Sequence, residues 1–382
     1  MNEFIQSLPA KLAELKVTPE REVTLVLGND SCDLDSAVCA LVLSHHLNST
    51  TGKLTLPILN IPKEDVALKT EVEYCVGKEL ISKLPTRDDI DFEKLTNFEL
   101  VLVDHHKVVK DLDFLVPKIS RVLDHRTLDQ SATFPPGCNI NLQLVGSCAT
   151  LVAEEILKEG YKDLSGLALL RSTIIADTVN FAPDKKKFAD LDKQIIAKIE
   201  EELGLSNDEV NRQEIFEAID VSKGRTEGFT IHQLIRKDMK MLALGADNIK
   251  TAVSSTYPYL AQELCSKETE IQTTLEDFLK KYKVQLLIII GLNKTRDAMD
   301  ILLFRSSSSE NSILVKLVDA IVDALCQRQE IQIRKNPQFN KIIADCQATH
   351  LTQANTTFTR KKLLPIMMQG ALSASVWKEK LQ

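Results

Sequence analysis

Residues 28–36, GNDSCDLDS, follow the apolar run VTLVL (23–27) and place Asp30, Asp33 and Asp35 within six positions. The run reads as a buried strand. Like charges at its end serve either as a cap for the helix that SAVCALVLSHHL (36–47) predicts or as ligands for a cation that neutralises them. Two more apolar runs end in the same way: FELVLVDHH (98–106) and ISRVLDHR (119–126). In a parallel sheet the C-terminal strand ends share one edge, where ligands of open α/β sheets bind. Asp33, Asp35, Asp104 and Asp124, with His105, His106 and His125, are therefore expected to converge there. Asp177, in STIIADTVN (172–180), joins them if its helix packs at that edge.

Carboxylates gathered this closely repel unless cations neutralise them, and oxygen-rich clusters suit Mg²⁺ or Mn²⁺. Asp33 and Asp35, two apart in one loop, could address two ions, and Asp104 could bridge them. Ions about 3.5–4 Å apart clamp the oxygens of an in-line phosphoryl displacement. Taken singly, each motif reads more simply as a helix cap or a turn. Three of the seven histidines fall in the two Asp-His motifs, and it is this joint pattern that carries the metal reading.

The chain has 382 residues, 44% hydrophobic and 26% charged, enough for two globular domains. A formal net charge of −7 argues against a broad nucleic-acid or anionic-membrane surface, so a polyanionic ligand must meet a focused basic patch. Eight cysteines without a CxxC pair suggest reduced thiols and a cytoplasmic protein. No apolar run approaches the roughly 20 residues of a membrane span.

The alternation of strand-like runs (VTLVL, LTLPILNI, FELVLV, ISRVL, INLQLV) with amphipathic stretches predicts a mostly parallel α/β domain over 1–190. The charged segment around 191–209 reads as a helical connector. A smaller α+β domain follows over 210–375, with HQLIRKDMKMLAL (232–244) as a helix, KTAVSSTYP, VQLLIIIGL and DAMDILLFRSS as strands, and SILVKLVDAIVDALCQ as a helix. On the first of these helices Arg236 and Lys240 would share a face. VGSCAT (145–150) reads as a strand-to-helix turn whose free N–H groups either meet a phosphate or do nothing special. His45 and His46 read as surface residues.

The set GNDSCDLDS, VDHH, LDHR, VGSCAT and IIADTVNF, continued by LIRKDMK (234–240) and TRKK (359–362), resembles the DHH phosphoesterase superfamily. The likeness is to its DHHA2-containing branch, which includes family II inorganic pyrophosphatases, eukaryotic exopolyphosphatases and prune proteins. The resemblance implies an active site in the cleft between a DHH and a DHHA2 domain, with two or more Mg²⁺ or Mn²⁺ ions. Asp33 would hold one ion, Asp35, His125 and Asp177 the other, and Asp104 would bridge. Arg126, Lys240, Arg360 and Lys361 would stabilise developing charge, while Asn29, His106 and Arg236 would help bind substrate. Asn29 stands where the pyrophosphatases have a histidine ligand, and Arg126 replaces the second histidine of the usual DHH. The implied activity is release of terminal phosphate from short-chain polyphosphate. Cyclic-nucleotide phosphodiester cleavage and a regulatory role, binding a nucleoside diphosphate kinase, are the alternatives. An oligonucleotide exonuclease of the same superfamily fits worst, since no Gly-Gly pair occurs.

Overall fold

A computed structural model describes residues 1–205, 209–267, 269–305, 312–341, 343 and 347–379. The chain forms two compact units, Met1–Arg225 and Thr226–Gln382.

The first unit is built on a five-stranded, wholly parallel sheet of β1 (Val23–Leu27), β2 (Leu54–Ile58), β3 (Phe98–Val103), β4 (Ile119–Asp124) and β5 (Asn139–Leu142), in the order β2-β1-β3-β4-β5. Leu27 pairs with Leu102, Leu123 with Val103, and Asp124 with Leu142. The residues that follow β1, β3 and β4 therefore leave the sheet at one edge, as the sequence predicts. β1 and β2 are buried along their whole length, the mark of a sheet covered on both faces.

Among the described residues this unit has eight α-helices: α1 (Asn2–Val17), α2 (Leu34–Thr51), α3 (Thr70–Val76), α4 (Lys78–Ile81), α5 (Cys148–Lys158), α6 (Leu164–Asp177), α7 (Asp190–Glu202) and α8 (Glu209–Lys223). Residues 34–44 of α2 are all buried, so the first three turns of this helix are a core element with no solvent face. Removing one of its leucines, Leu41 for example, would cost about 3 kcal/mol. His46 is also buried, paired with Glu159 at 2.6 Å, and His45 meets the Tyr161 hydroxyl at 2.8 Å. His46 is therefore not the surface residue the sequence suggests, and His45 is half-buried against Tyr161.

The segment expected as a connector is not one. Ile195, Ile196 and Ile199 of α7 are buried in the first unit's core, and Asp192 is fully enclosed. The compact unit runs on through α8. Charged residues on the outer face of α7 gave the helix the look of a linker.

The second unit is a six-stranded mixed sheet in the order β10-β11-β9-β8-β7-β6, from β6 (Met239–Leu244), β7 (Ile249–Thr256), β8 (Leu286–Asn293), β9 (Ala298–Arg305), β10 (Ile333–Lys335) and β11 (Ala348–Gln353). Leu286, Ile288 and Ile290 enter one core cluster and Leu287 and Ile289 the other, so β8 is apolar throughout because both faces are covered. The helices are α9 (Ile231–Arg236), α10 (Ala261–Ser266), α11 (Ile271–Tyr282), α12 (Ser312–Cys326) and α13 (Arg360–Glu379). The last two residues of the predicted DAMDILLFRSS strand, and Cys346, lie outside the described residues. Among the described residues no helix is long and apolar enough to cross a membrane.

The predicted helix over 232–244 is also corrected. It stops at Arg236, and residues 239–244 form the edge strand β6, with Lys240 opposite Val253. Leu242 and Leu244 pack into the core on the face that Lys240 shares, a period of two that strand pairing enforces over local helix preference. Arg236 and Lys240 therefore do not share a helix face.

Candidate metal centre

The loop after β1 is shaped by close packing. A Cβ on Gly28 would lie 2.9 Å from Ser36 Cβ, so only glycine lets the loop return over α2. Asn29 then organises the turn: its Oδ1 accepts from Ser31 N (2.9 Å), Ser31 Oγ (2.6 Å) and Cys32 N (3.1 Å). Its Nδ2 donates to Asp104 Oδ2 at 2.6 Å, and Ser36 Oγ donates to the same oxygen at 2.6 Å. Asp104 sits in the left-handed region at φ 60°, which turns the chain sharply at the end of β3. Its Oδ1 is buried and faces Arg126 (2.8 Å) and His125 Nε2 (3.3 Å).

Asp35 lies across the start of α5 and accepts from Ser147 Oγ (2.9 Å), Cys148 N (2.7 Å) and Ala149 N (2.8 Å), at the positive end of that helix. These bonds revise one reading of VGSCAT: its free N–H groups face a carboxylate of the protein. Asp33 accepts from Ser36 N at 3.2 Å and is the N-cap of α2, the simpler of its two readings.

His125 Nδ1 lies 3.1 Å from Val145 O, so this nitrogen carries the proton that bonds the carbonyl. Nε2 is left 3.3 Å from Asp104 Oδ1 and 3.8 Å from Asp35 Oδ2. A carbonyl fixing one ring nitrogen while the other faces carboxylates is how metal-ligating histidines are commonly oriented. Arg126 spans Asp104 Oδ1 (2.8 Å) and Asp124 Oδ1 (3.0 Å). His106 is buried with both nitrogens engaged, Nδ1 by Asp124 and Nε2 by the Asp129 amide (2.9 Å). It braces the loop after β4, and neither nitrogen is open to substrate here; Asn29 likewise serves Asp104 and its own turn. His105 donates to Val103 O, and burial pushes its pKa down.

Charge in the cluster is out of balance. Burial, then the charge of Asp104, pushes Asp35 up to about 6. Burial and Asp33 do the same to Asp104, also to about 6. Asp177 lies against Asp35 and is pushed well above the carboxylate range by burial and by Asp35 and Asp33. Asp33 runs the other way: burial opposes ionisation, but Lys223, the Ser36 amide, Arg126 and Lys69 hold it low. His125 reaches about 9 because the bond to Asp104 and the charge of Asp35 outweigh burial.

Among the described residues, Asp35, Asp104 and His125 bring ligand atoms within 4.8 Å of one another. Buried oxygen donors and one imidazole gathered this closely fit a divalent cation. Asp33 and Asp177 stand beside this group, near enough to perturb it.

In the second unit two basic motifs come together. Arg360 donates to Asp238 O (2.7 Å) and Asp238 Oδ1 (2.7 Å), tying the start of α13 to the turn before Lys240. Lys361 is exposed, and Arg236 donates to the Tyr282 hydroxyl at 2.6 Å. Sequence reasoning missed Asp238, Ser36 and Ser147, whose polar type is too common to mark a partner.

Over 98% of its length this chain is 32% identical to Exopolyphosphatase PRUNE1 of Rattus norvegicus, covering 80% of that protein. The chain belongs to the prune exopolyphosphatase family. The DHHA2 domain model matches residues 217–369 of this prune-family chain. The Manganese-dependent inorganic pyrophosphatase of Methanocaldococcus jannaschii is 28% identical over 69% of the chain and 81% of that protein. A solved Methanococcus jannaschii structure, a candidate family II inorganic pyrophosphatase, superposes with a TM-score of 0.59 at 21% identity, over 91% of this chain and 99% of that one, which establishes a shared fold.

Proposed function

We propose that this prune-family chain is a metal-dependent phosphohydrolase that cleaves the terminal phosphoanhydride bond of short inorganic polyphosphates. The observation that carries the reading is the meeting of Asp35, Asp104 and His125 at one sheet edge, with His125 Nε2 left facing the carboxylates. Asp33, Asp35, Asp104, His125 and Asp177 would hold two or more ions, Mg²⁺ or Mn²⁺, whose positive charge polarises phosphoryl oxygens when bound. With Asn29 as a hydrogen-bond donor in place of an imidazole ligand, the set is richer in oxygen and favours Mg²⁺.

Arg126, fixed by Asp104 and Asp124, keeps a planar cation at the edge of the cluster for a non-bridging phosphate oxygen. Lys240 would contact the transferring phosphoryl group, and Arg360 with Lys361 would bind the distal phosphates. A group that holds distal phosphates contributes binding in ground and transition state alike, so Arg360→Ala should raise KM more than it lowers kcat. Cyclic-nucleotide hydrolysis would draw on the same ions. A nucleoside diphosphate kinase partner rests on resemblance alone and is tested by co-sedimentation.

The deciding experiment measures phosphate release from pyrophosphate, tripolyphosphate and tetrapolyphosphate, and cyclic AMP hydrolysis, with Mg²⁺, Mn²⁺ or EDTA, for the wild type and Asp104→Ala. Metal-dependent release favouring three or four phosphates, absent in the variant, supports the proposal. Cyclic AMP turnover alone would move the assignment to the phosphodiesterase, and no turnover on any substrate would overturn both.

A further inference from the structure

Beyond the ligands themselves, one fully buried carboxylate reaches the centre from a helix with no part in the sequence motifs. Asp192, on the first turn of α7, is completely enclosed. Its Oδ2 accepts from Ala189 N at 2.7 Å, an ordinary cap of its own helix, and from Gly146 N at 2.8 Å. Its Oδ1 accepts from Thr150 Oγ1 at 2.5 Å, inside α5. One side chain thus grips both ends of the segment 146–150.

That segment is what aims the ligands. Val145 O fixes the His125 ring, and Ser147 Oγ, Cys148 N and Ala149 N hold Asp35. Gly146, between them, has no room for a side chain: a Cβ there would come within 2.5 Å of Lys187 O and 2.7 Å of Thr178 Cγ2, next to Asp177. Three successive left-handed residues, Val179, Asn180 and Phe181, turn the chain away after Asp177. Such a run is unfavourable for residues other than glycine and persists only where its surroundings fix it.

We propose that Asp192 is a positioning residue of the metal centre, setting the orientation of His125 and Asp35 through the 145–149 segment. The proposal rests on the metal reading of those ligands. A helix cap alone needs only the Ala189 bond; the bonds to Gly146 and Thr150 reach across to the segment that holds the ligands.

The test is Mn²⁺ binding to the whole chain, followed by electron paramagnetic resonance, with thermal melts of the metal-free proteins in parallel. Asp192→Asn is expected to weaken Mn²⁺ binding by about 10- to 100-fold, the usual effect of losing an outer partner of a ligand. Thr150→Val, which removes only the hydroxyl, should weaken it by about 10-fold, and Thr150→Ser should restore wild-type binding. A folded Asp192→Asn protein that melts lower but binds Mn²⁺ within about twofold of wild type would reduce Asp192 to a cap and overturn the proposal. If Asp192→Asn fails to fold, unchanged binding by Thr150→Val overturns it equally. A wild type that binds no Mn²⁺ defeats the metal reading first, and the clamp with it.

Discussion

Asp35 and Asp300 do the same structural job in different units. Each is buried and reaches from one element to close the N-terminus of a helix in another. Asp300, on β9, accepts from Ala261 N (2.7 Å) and Gln262 N (2.9 Å) at the start of α10. Its remaining partner is His350 Nε2 at 2.8 Å, and the imidazole stacks on Phe339 with ring centres 4.4 Å apart. Asp35 has equally good amide partners, but Asp33, Asp104 and Asp177 crowd it as well. A capped carboxylate with a private histidine is finished structure, whereas one facing further carboxylates is waiting for positive charge. Buried acids are common; an unbalanced group of them marks function.

The largest expected break in this parallel is Asp35→Asn, which should lower metal-dependent phosphate release by at least about 1000-fold, or ~4 kcal/mol in the barrier. Mn²⁺ titration should show weakened binding for Asp35→Asn and no change in affinity for Asp300→Asn. If both variants lose metal binding equally, the distinction between the two carboxylates fails.

Glu200 sharpens the comparison within the first unit. It is buried but over-compensated, bonded by Arg171 Nε (2.7 Å) and by Arg212 Nε (2.8 Å). Burial would raise its pKa, but the hydrogen bonds and charges of Arg212 and Arg171 hold it below its ordinary 4.5. Glu200→Gln should therefore cost about 3 kcal/mol at neutral pH, by removing the negative charge that Arg171 and Arg212 share. Because the folded pKa is depressed, this stabilisation is full above the ordinary value and disappears as pH falls through the folded one. Melts of both proteins between pH 7 and 3 should converge at the acidic end; a gap that stays constant would rule out the ion pairs as its source.

Asp300→Asn should destabilise the second unit by about 2 kcal/mol, read by urea unfolding, since one oxygen that accepts an amide or the imidazole becomes a donor. Smallest, and opposite in sign, is Asp177→Asn. Relieving repulsion with Asp35 and Asp33 should stabilise the metal-free protein by about 1 kcal/mol, seen as a higher Tm in EDTA, while lowering metal affinity. A lower Tm in EDTA would mean that Asp177 is held by favourable partners instead.

Much of the first unit was legible because its signals are local. VTLVL, FELVLV and ISRVL are strands, and their common parallel direction makes the positions after them neighbours at one edge. The limits follow from distance along the chain and from tertiary override. Asp35 meets Ala149 across 114 positions and Asp192 meets Gly146 across 46, and no periodicity links such pairs. Lys240 reads as helical until β7 pairs with it, and α7 reads as a linker because its apolar face, Ile195, Ile196 and Ile199, is masked by charges around it. His106 looks open in a motif and is closed by Asp124 and Asp129.

The bonds of Asp35 to Ser147, Cys148 and Ala149 span 112, 113 and 114 positions. Their closure requires β1, α2, β3, β4 and β5 to be in place, a long loop whose entropy must be spent before any local reward returns. During refolding, helical signal should therefore rise well before the protein acquires affinity for a divalent ion. Ion uptake would then serve as a clock for the closing of these long-range bonds in the first unit.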